Sequence, residues 1–441
     1  MRQEVIARVM TSVDGAVPGA GAPLPKHVKM AASPFSFMRG SAGLFYRDLA
    51  AGEWPSLPPS LYRDIPLTTI QGDCHLSNFG FITEEGSHGD SVIFSLNDFD
   101  DACIGHAVWD MLRFAASMHL AADYLQGVKS GRYRAAKAMD PAAQAAPDDA
   151  LVIRANGAFL ECYIATCDAL GSAGQGHRQV IDEFAAGHVL QPLWIKAKHR
   201  AGGGKHFARK SALAKAAVWE ADEIRFDSQN PNFAAPGDVG RQALETHFAP
   251  FMDDRVLDVA ERLGAGTGSV NMGRYYFLVG PRDGRYPRDL PLCHIVEVKQ
   301  QRRAAPLGFF DDLSPTNRLN PAHLTVVCQR RMQRQPDLVL DETRWRDAHW
   351  LIRSRHHAKV GIAPEMLLNP GAAGPGLIEY AETCGRALAL AHSRGDRRST
   401  RYERAVCATL AQHQEMLLDT AARCARQTVQ DWALLNDMLA V

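Results

Sequence analysis

The sequence predicts an α+β fold: a largely helical half, a small antiparallel β-rich lobe, and helices again towards the C-terminus. Three observations predict it. Apolar residues recur at three- and four-residue intervals over long stretches, most clearly at 109–125, the spacing of a packed helix. Two short β-like runs, 67–70 and 92–96, each end in a dense polar cluster. Beyond a polar Asn/Pro/Gly segment at 227–240, strand-like runs at 275–279 and 294–298 are joined by a Gly/Pro/Asp turn.

Taken in order, residues 1–28 are loosely patterned, with a Gly/Pro/Ala-rich stretch at 15–25, and read as a mobile lead-in. Ser33 then caps a helix, with Pro34 at its first turn, and a Pro-rich connection runs to Pro59. More helix is expected over about 149–222. Helical spacing resumes at 321–335 and 378–393 and fills 402–439. The expected division is a lead-in at 1–28, a mainly helical half at 29–240, a β-rich lobe at 255–375 and C-terminal helices at 376–441 that pack on the first half.

At 441 residues, with 46% apolar and 22% charged residues, the chain has the balance of a globular, enzyme-sized protein. Lys plus Arg equals Asp plus Glu at 49 each, so no net field draws it to nucleic acid or an anionic membrane. Any anionic ligand must be caught locally. The nine cysteines are scattered without a C-x-x-C pair and read as reduced and buried. No apolar core of signal length opens the chain, and no run of about 18 uncharged apolar residues occurs in it. The expectation is a cytoplasmic protein.

The sharpest signal is Gly72-Asp73-Cys74-His75-Leu76-Ser77-Asn78-Phe79-Gly80, followed after the second strand by Asn97-Asp98-Phe99-Asp100-Asp101-Ala102. Phosphoryl transfer needs a carboxylate near the attacking hydroxyl, and an amide oxygen and a second carboxylate for a divalent metal. Asp73, Asn78 and Asp98 supply that set in that order. The same residues also read as turn caps at Asp73 and Asn78, a packed His75 and a solvated Asp98, Asp100 and Asp101 loop. A metal site without phosphoryl transfer is a third reading.

These motifs resemble those of the aminoglycoside phosphotransferase and choline kinase branch of protein-kinase-like enzymes, whose catalytic loop reads G-D-x-H-x-x-N and whose metal motif reads D-F/W-x-x-A. A G-x-x-x-x-D segment follows in that family, and Gly105 to Asp110 matches it here. The resemblance implies a kinase-like fold with catalytic residues Asp73, His75 and Asn78 and Asp73 as base. It implies Mg2+ on Asn78, Asp98 and Asp100, with Asp110 bracing the loop from below. The chain from about 29 to 439 also resembles a bacterial family known as a domain of unknown function, through Ser33-Pro34-Phe35, Arg39-Gly40, the two motifs above and Ala391-His392.

Kinase-like enzymes place a glycine-rich loop and a strand lysine before the catalytic loop. Here they come after it. Gly264, Gly266, Gly268 and Ser269 form the glycine-rich candidate, and Lys299 ends Val296-Glu297-Val298-Lys299. A helix at 321–335, an extended hinge-like piece at 350–353 and the helix leading to His392 follow in kinase order, so the resemblance implies a circular permutation. A tight surface hairpin is the plainer reading of the glycines. The helix after Lys299 offers Gln329 and Gln333 but no glutamate, leaving Glu297 or a glutamine as the partner for the lysine.

Arg39 and Arg113 read either as a phosphate clamp or as helix-surface and capping residues. The basic stretch 196–215 lacks P-loop geometry, and adjacent His356 and His357 make a poor metal pair. The expected function is ATP- and Mg2+-dependent phosphorylation of a small-molecule hydroxyl or amine, ATP standing for any nucleoside triphosphate. The alternatives are a metal-dependent hydrolase using the Asp98 cluster and a catalytically silent nucleotide-binding regulator. The sequence names neither the acceptor nor the oligomeric state.

Overall fold

The computed structural model describes residues 1–54, 57–84, 89–135, 146–172, 176–220, 223–237, 239–264, 272–368, 375–396 and 399–440. Five helices open the chain: α1 (Arg2–Asp14), α2 (Pro25–Ala31), α3 (Pro34–Gly40), α4 (Ala42–Ala51) and α5 (Pro59–Arg63). Strands β1 (Thr68–Ile70), β2 (Phe79–Thr83), β3 (Val92–Leu96) and β4 (Cys103–Gly105) precede the long helices α6 (Ala107–Lys129) and α7 (Asp149–Ser172). Short helices α8 (Gln191–Lys198) and α9 (Phe207–Lys210) lead to β5 (Ala217–Glu220), β6 (Glu223–Phe226), β7 (Phe233–Ala234) and α10 (Arg241–Phe248). Then come β8 (Arg255–Arg262), β9 (Arg274–Gly280), β10 (His294–Gln301), α11 (Pro321–Met332), β11 (Asp341–Trp345), β12 (Ala348–Ser354) and β13 (Val360–Gly361). The last helices are α12 (Pro375–Ser393), α13 (Arg401–Thr409) and α14 (Gln414–Leu439). The architecture is α+β.

The helical body is organised around α6, which is buried on nearly every side and lies against α14, α7 and α3. Helix α7 lies along α12, and their close approach depends on Gly385, where a Cβ would collide with the Phe159 carbonyl. By length and mean hydropathy α7 is the one described helix that could cross a membrane, yet Leu151, Val152, Phe159, Leu160 and Tyr163 are buried in this core.

The six-stranded antiparallel sheet runs β11-β12-β10-β9-β8-β7. Strand periodicity divides its residues between two faces. Val296 and Val298 pack with Tyr275, Phe277, Trp350 and Ile352 beneath Leu244 and Phe248 of α10. Glu297, Lys299 and Gln301 therefore project from the opposite face. At its far end that face is covered by Phe207, Leu213, Ile224 and Phe226, which share a core with Tyr276, Leu278 and Ile295.

Three expectations are corrected. Residues 1–28 are not a loose lead-in, because α1 is pinned by Arg2, which bonds Asp48 and Asp431, and Lys26 pairs with Asp14. The helix expected over about 149–222 is broken into α7, α8 and α9, and residues 207–226 side with the sheet because their apolar residues complete its core. Residues 350–353 are no hinge, since β12 is an interior strand between β11 and β10.

Gly385→Ala should push α7 and α12 apart at a cost of about 1–3 kcal/mol, the usual range for overpacking. Urea denaturation of the full chain tests this, and an unchanged midpoint would show that the two helices do not rely on the contact.

Candidate functional site

The loop after β1 is built by α6. Asp110, in its first turn, accepts hydrogen bonds from the Gln71 amide at 2.6 Å and the Gly72 amide at 3.0 Å. Gly72 has φ +79, and a Cβ there would collide with the Asp101 carbonyl, so only glycine fits. One turn along α6, Arg113 donates through Nε to Asp73 Oδ1 at 2.8 Å and through Nη2 to the Met38 carbonyl at 2.7 Å. Another turn on, Ser117 Oγ accepts from the Leu76 amide at 2.9 Å. Spacings of three and four place Asp110, Arg113 and Ser117 on one stripe of an otherwise apolar helix. The stripe grips residues 71–76.

Asp110 braces the loop as the resemblance implied. Arg113 is neither a surface residue nor a phosphate clamp, because it is fully buried under Asp73. From the other side, His392 of α12 meets Asp110 Oδ2 at 3.1 Å, and the Tyr380 hydroxyl donates to the Leu76 carbonyl. Asn78 Nδ2 closes the loop onto the Asp73 carbonyl at 2.8 Å. Gln71, which sequence reasoning missed, donates to the Asp98 carbonyl at 2.9 Å and so joins both motifs.

The three aspartates after β3 point to different partners. Asp98 Oδ1 accepts from the Asp100 amide at 3.3 Å, and its carboxylate lines the cleft with Asp73 and Asn78. Asp100, expected on the metal, pairs with Lys299 and accepts from Gln301 Nε2 at 3.2 Å. Asp101 takes Arg302 through both oxygens at 2.8 and 2.9 Å, and the Ala305 amide at 2.7 Å. Lys299 and Asp100 lie 199 positions apart in the chain. Lys299 therefore has neither of its expected partners. Glu297 is held by Arg353 at 2.8 Å and Arg274 at 3.2 Å, while Gln329 and Gln333 bond each other.

Asp73, His75, Asn78, Asp98, Asp100 and Lys299 line one cleft between the helical body and the sheet. Burial raises the Asp73 carboxyl to about 6, with Arg113 opposing, although the side chain keeps one-fifth of its surface open to the cleft. Its Oδ2 has no hydrogen bond among the described residues; His75 Nε2 lies 3.7 Å away. His75 Nδ1 accepts from the Ser77 amide, so the Nε2 tautomer carries the proton, and burial holds the ring well below its usual pKa. Burial pulls the Lys299 ammonium down to about 7, with Asp98 opposing. Glu297 sits well below the carboxylate range because Arg353 and Arg274 outweigh its burial.

Of the glycine-rich candidate, Gly264 is described, with φ +62 and its carbonyl accepting from Lys29 at 3.1 Å. Gly266, Gly268 and Ser269 lie outside the described residues. Met272, just beyond them, lines the cleft. Lys359 was missed; the pairing of β13 with β2 carries it into the cleft, where the enclosing walls, then Arg353, lower its ammonium to about 8. The basic run from Arg353 to Lys359 was the available signal. His356 lines the cleft and His357 packs on Phe207, so the adjacent histidines diverge as expected.

Among the described residues no three His, Cys, Asp or Glu side chains converge as a ready metal cage. The Asn78 amide oxygen and the Asp98 carboxylate still suit Mg2+, which is commonly held by one or two carboxylates together with waters and substrate phosphates.

Fold and cleft define an α+β protein in which an antiparallel sheet sets a buried lysine against an aspartate cluster at the end of a helical body. Over residues 22–145 and 175–438 the sequence matches the family described as "Uncharacterized protein conserved in bacteria (DUF2252)", and the chain belongs to it. No curated protein and no solved structure matches the chain.

Asp110→Ala should leave two buried backbone amides unpaired and lower stability by about 2–6 kcal/mol, at about 1–3 kcal/mol for each orphaned donor. Asp110→Asn, which keeps one acceptor, should lose less. Equal urea midpoints for the two variants would refute the bracing role.

Proposed function

We propose that this protein transfers the γ-phosphoryl group of ATP to a hydroxyl or amine of a small molecule, in a kinase-like fold whose two halves are permuted along the chain. The observation that carries the reading is the contact between Lys299 and Asp100. It sets a strand lysine against the aspartate motif in the same cleft as Asp73 and Asn78, although nothing local forces the two together. The position of α12 supports the permutation, since Tyr380 and His392 reach the catalytic loop from a helix that follows the sheet in sequence.

In this reading Asp73 Oδ2 orients the acceptor hydroxyl and takes its proton as the new O–P bond forms and the bond from Pγ to the ADP oxygen breaks. Arg113 fixes the other oxygen of that carboxylate, so the base is presented in one orientation. Asn78 and Asp98 would hold Mg2+, which supplies neutralisation of the phosphate charge. Lys299 exchanges Asp100 for phosphate oxygens, and Lys359 and Arg353 add positive charge on the same side. The hydrolase alternative is weakened because Asp100 and Asp101 are engaged by Lys299 and Arg302, leaving Asp98 without a second free carboxylate in its own motif.

Asp98→Ala should abolish Mg2+-dependent ATP binding in isothermal titration, and Lys299→Ala should weaken it while leaving some turnover at saturating ATP. Mg2+-ATP affinity that survives in folded Asp98→Ala would remove Asp98 from the site.

Asp73→Asn should keep ATP affinity and lower turnover by about 10²-fold or more. A base must be deprotonated, so kcat/KM of the free enzyme should rise with pH through about 6, the value to which burial raises Asp73. A profile flat from pH 5 to pH 7, on the order of one unit to either side, would rule out Asp73 as the base.

A further inference from the structure

Besides Lys26, Arg302 and Arg355, which are paired with Asp14, Asp101 and the Tyr276 hydroxyl, the cations of the cleft occupy two walls. Arg274, Lys299, Arg353 and Lys359 come from the sheet and the segment after it, whereas Arg39 comes from the last turn of α3 on the helical body. Arg39 is exposed to the cleft and stacks over the Phe35 ring at 5.9 Å. Phe35 in turn meets His75 edge-on at 6.4 Å, which puts Arg39 on the Asp73 side. Among the described residues its guanidinium has no hydrogen bond and no ion pair. The carboxylates whose field reaches it are Asp73, Asp98 and Glu365. Asp73 is already held by Arg113, and Glu365 accepts from the Tyr124 hydroxyl at 2.7 Å.

A guanidinium with five unused donors, fixed on an aromatic face beside a base, matches a carboxylate or phosphate in forked geometry. On the reading above, the nucleotide's charge is met by the sheet wall, so this cation faces the other substrate. We infer that the acceptor is an anion, a small hydroxyl or amine compound bearing a carboxylate or phosphate, and that Arg39 grips that group while Asp73 meets the reacting atom. This rests on the phosphotransferase reading. Val9, Met10 and Val13 of α1 line the same cleft and offer apolar contact to the remainder of such a molecule. An acceptor carrying an ammonium group next to its hydroxyl would meet Arg39 with like charge and is disfavoured.

Inorganic phosphate and glycolate serve as probes, titrated into the full chain saturated with Mg2+ and the non-hydrolysable analogue AMP-PNP, so that the nucleotide's own phosphate positions are filled. At least one anion should bind the native protein, bind Arg39→Ala about tenfold more weakly or worse, and bind Arg39→Lys at an intermediate level. AMP-PNP affinity should be unchanged in both variants. Preference between the probes separates a phosphate-bearing from a carboxylate-bearing acceptor. Failure of both probes to bind, equal binding in Arg39→Ala, or a matching loss of AMP-PNP affinity would overturn the inference. If AMP-PNP fails to bind while Arg39-dependent anion binding persists in its absence, the phosphotransferase reading falls and the anion subsite stands.

Discussion

The arrangement depends first on one buried carboxylate. Asp110 is fully enclosed and is surrounded by donors: the amides of Gln71 and Gly72 and the imidazole of His392. His392 continues through Nδ1 to the Tyr163 hydroxyl at 2.7 Å, and Tyr163 bonds Tyr402. The network thereby joins α6, α7, α12, α13 and the loop that follows β1. In a low-dielectric interior a carboxylate left unpaired costs several kcal/mol, so competing packings that break these bonds are disfavoured. One loop conformation results, with Asp73 and Asn78 presented at its outer edge.

A second set of contacts decides how the sheet meets the helical body. Asp101 binds Arg302 and the Ala305 amide just beyond β10, and the Asn317 side chain bonds both the amide and the carbonyl of Ile104 at 2.9 Å. Asn317 thus acts as a one-residue strand partner for β4. These bonds clamp the segment following Lys299 to the segment following Asp98. The Lys299 and Asp100 pair sits inside that clamp. On the proposed reading a triphosphate would compete with Asp100 for the lysine, so its binding would exchange one charge pair for another and leave no bare ammonium in the cleft.

Much of this was legible at short range. The three-and-four spacing of 109–125 revealed α6, and alternation along 294–298 placed Glu297 and Lys299 on one face of their strand, because side-chain direction follows from the period of the backbone. The order Gly72, Asp73, Asn78 and then Asp98 pointed to a polar site at strand ends, and the resemblance to the G-x-x-x-x-D segment of kinase-like enzymes implied Asp110. The opening helix was not legible. The Gly/Pro/Ala composition of 15–25 hid the fact that α1 is held by Arg2 on Asp48 and Asp431, partners 46 and 429 positions away.

The sequence by itself determined which residues alternate outward from β10 and which carboxylates stand at strand ends. Only the tertiary structure decided who pairs with whom. Lys299 took Asp100 over Glu297, Arg113 went beneath Asp73, Lys359 entered the cleft through the pairing of β13 with β2, and Arg39 kept its guanidinium free. The reason is physical. Local periodicity encodes the direction of a side chain relative to its own backbone, whereas an ion pair spanning 199 positions is set by the packing of entire helices and sheets, which no local period records.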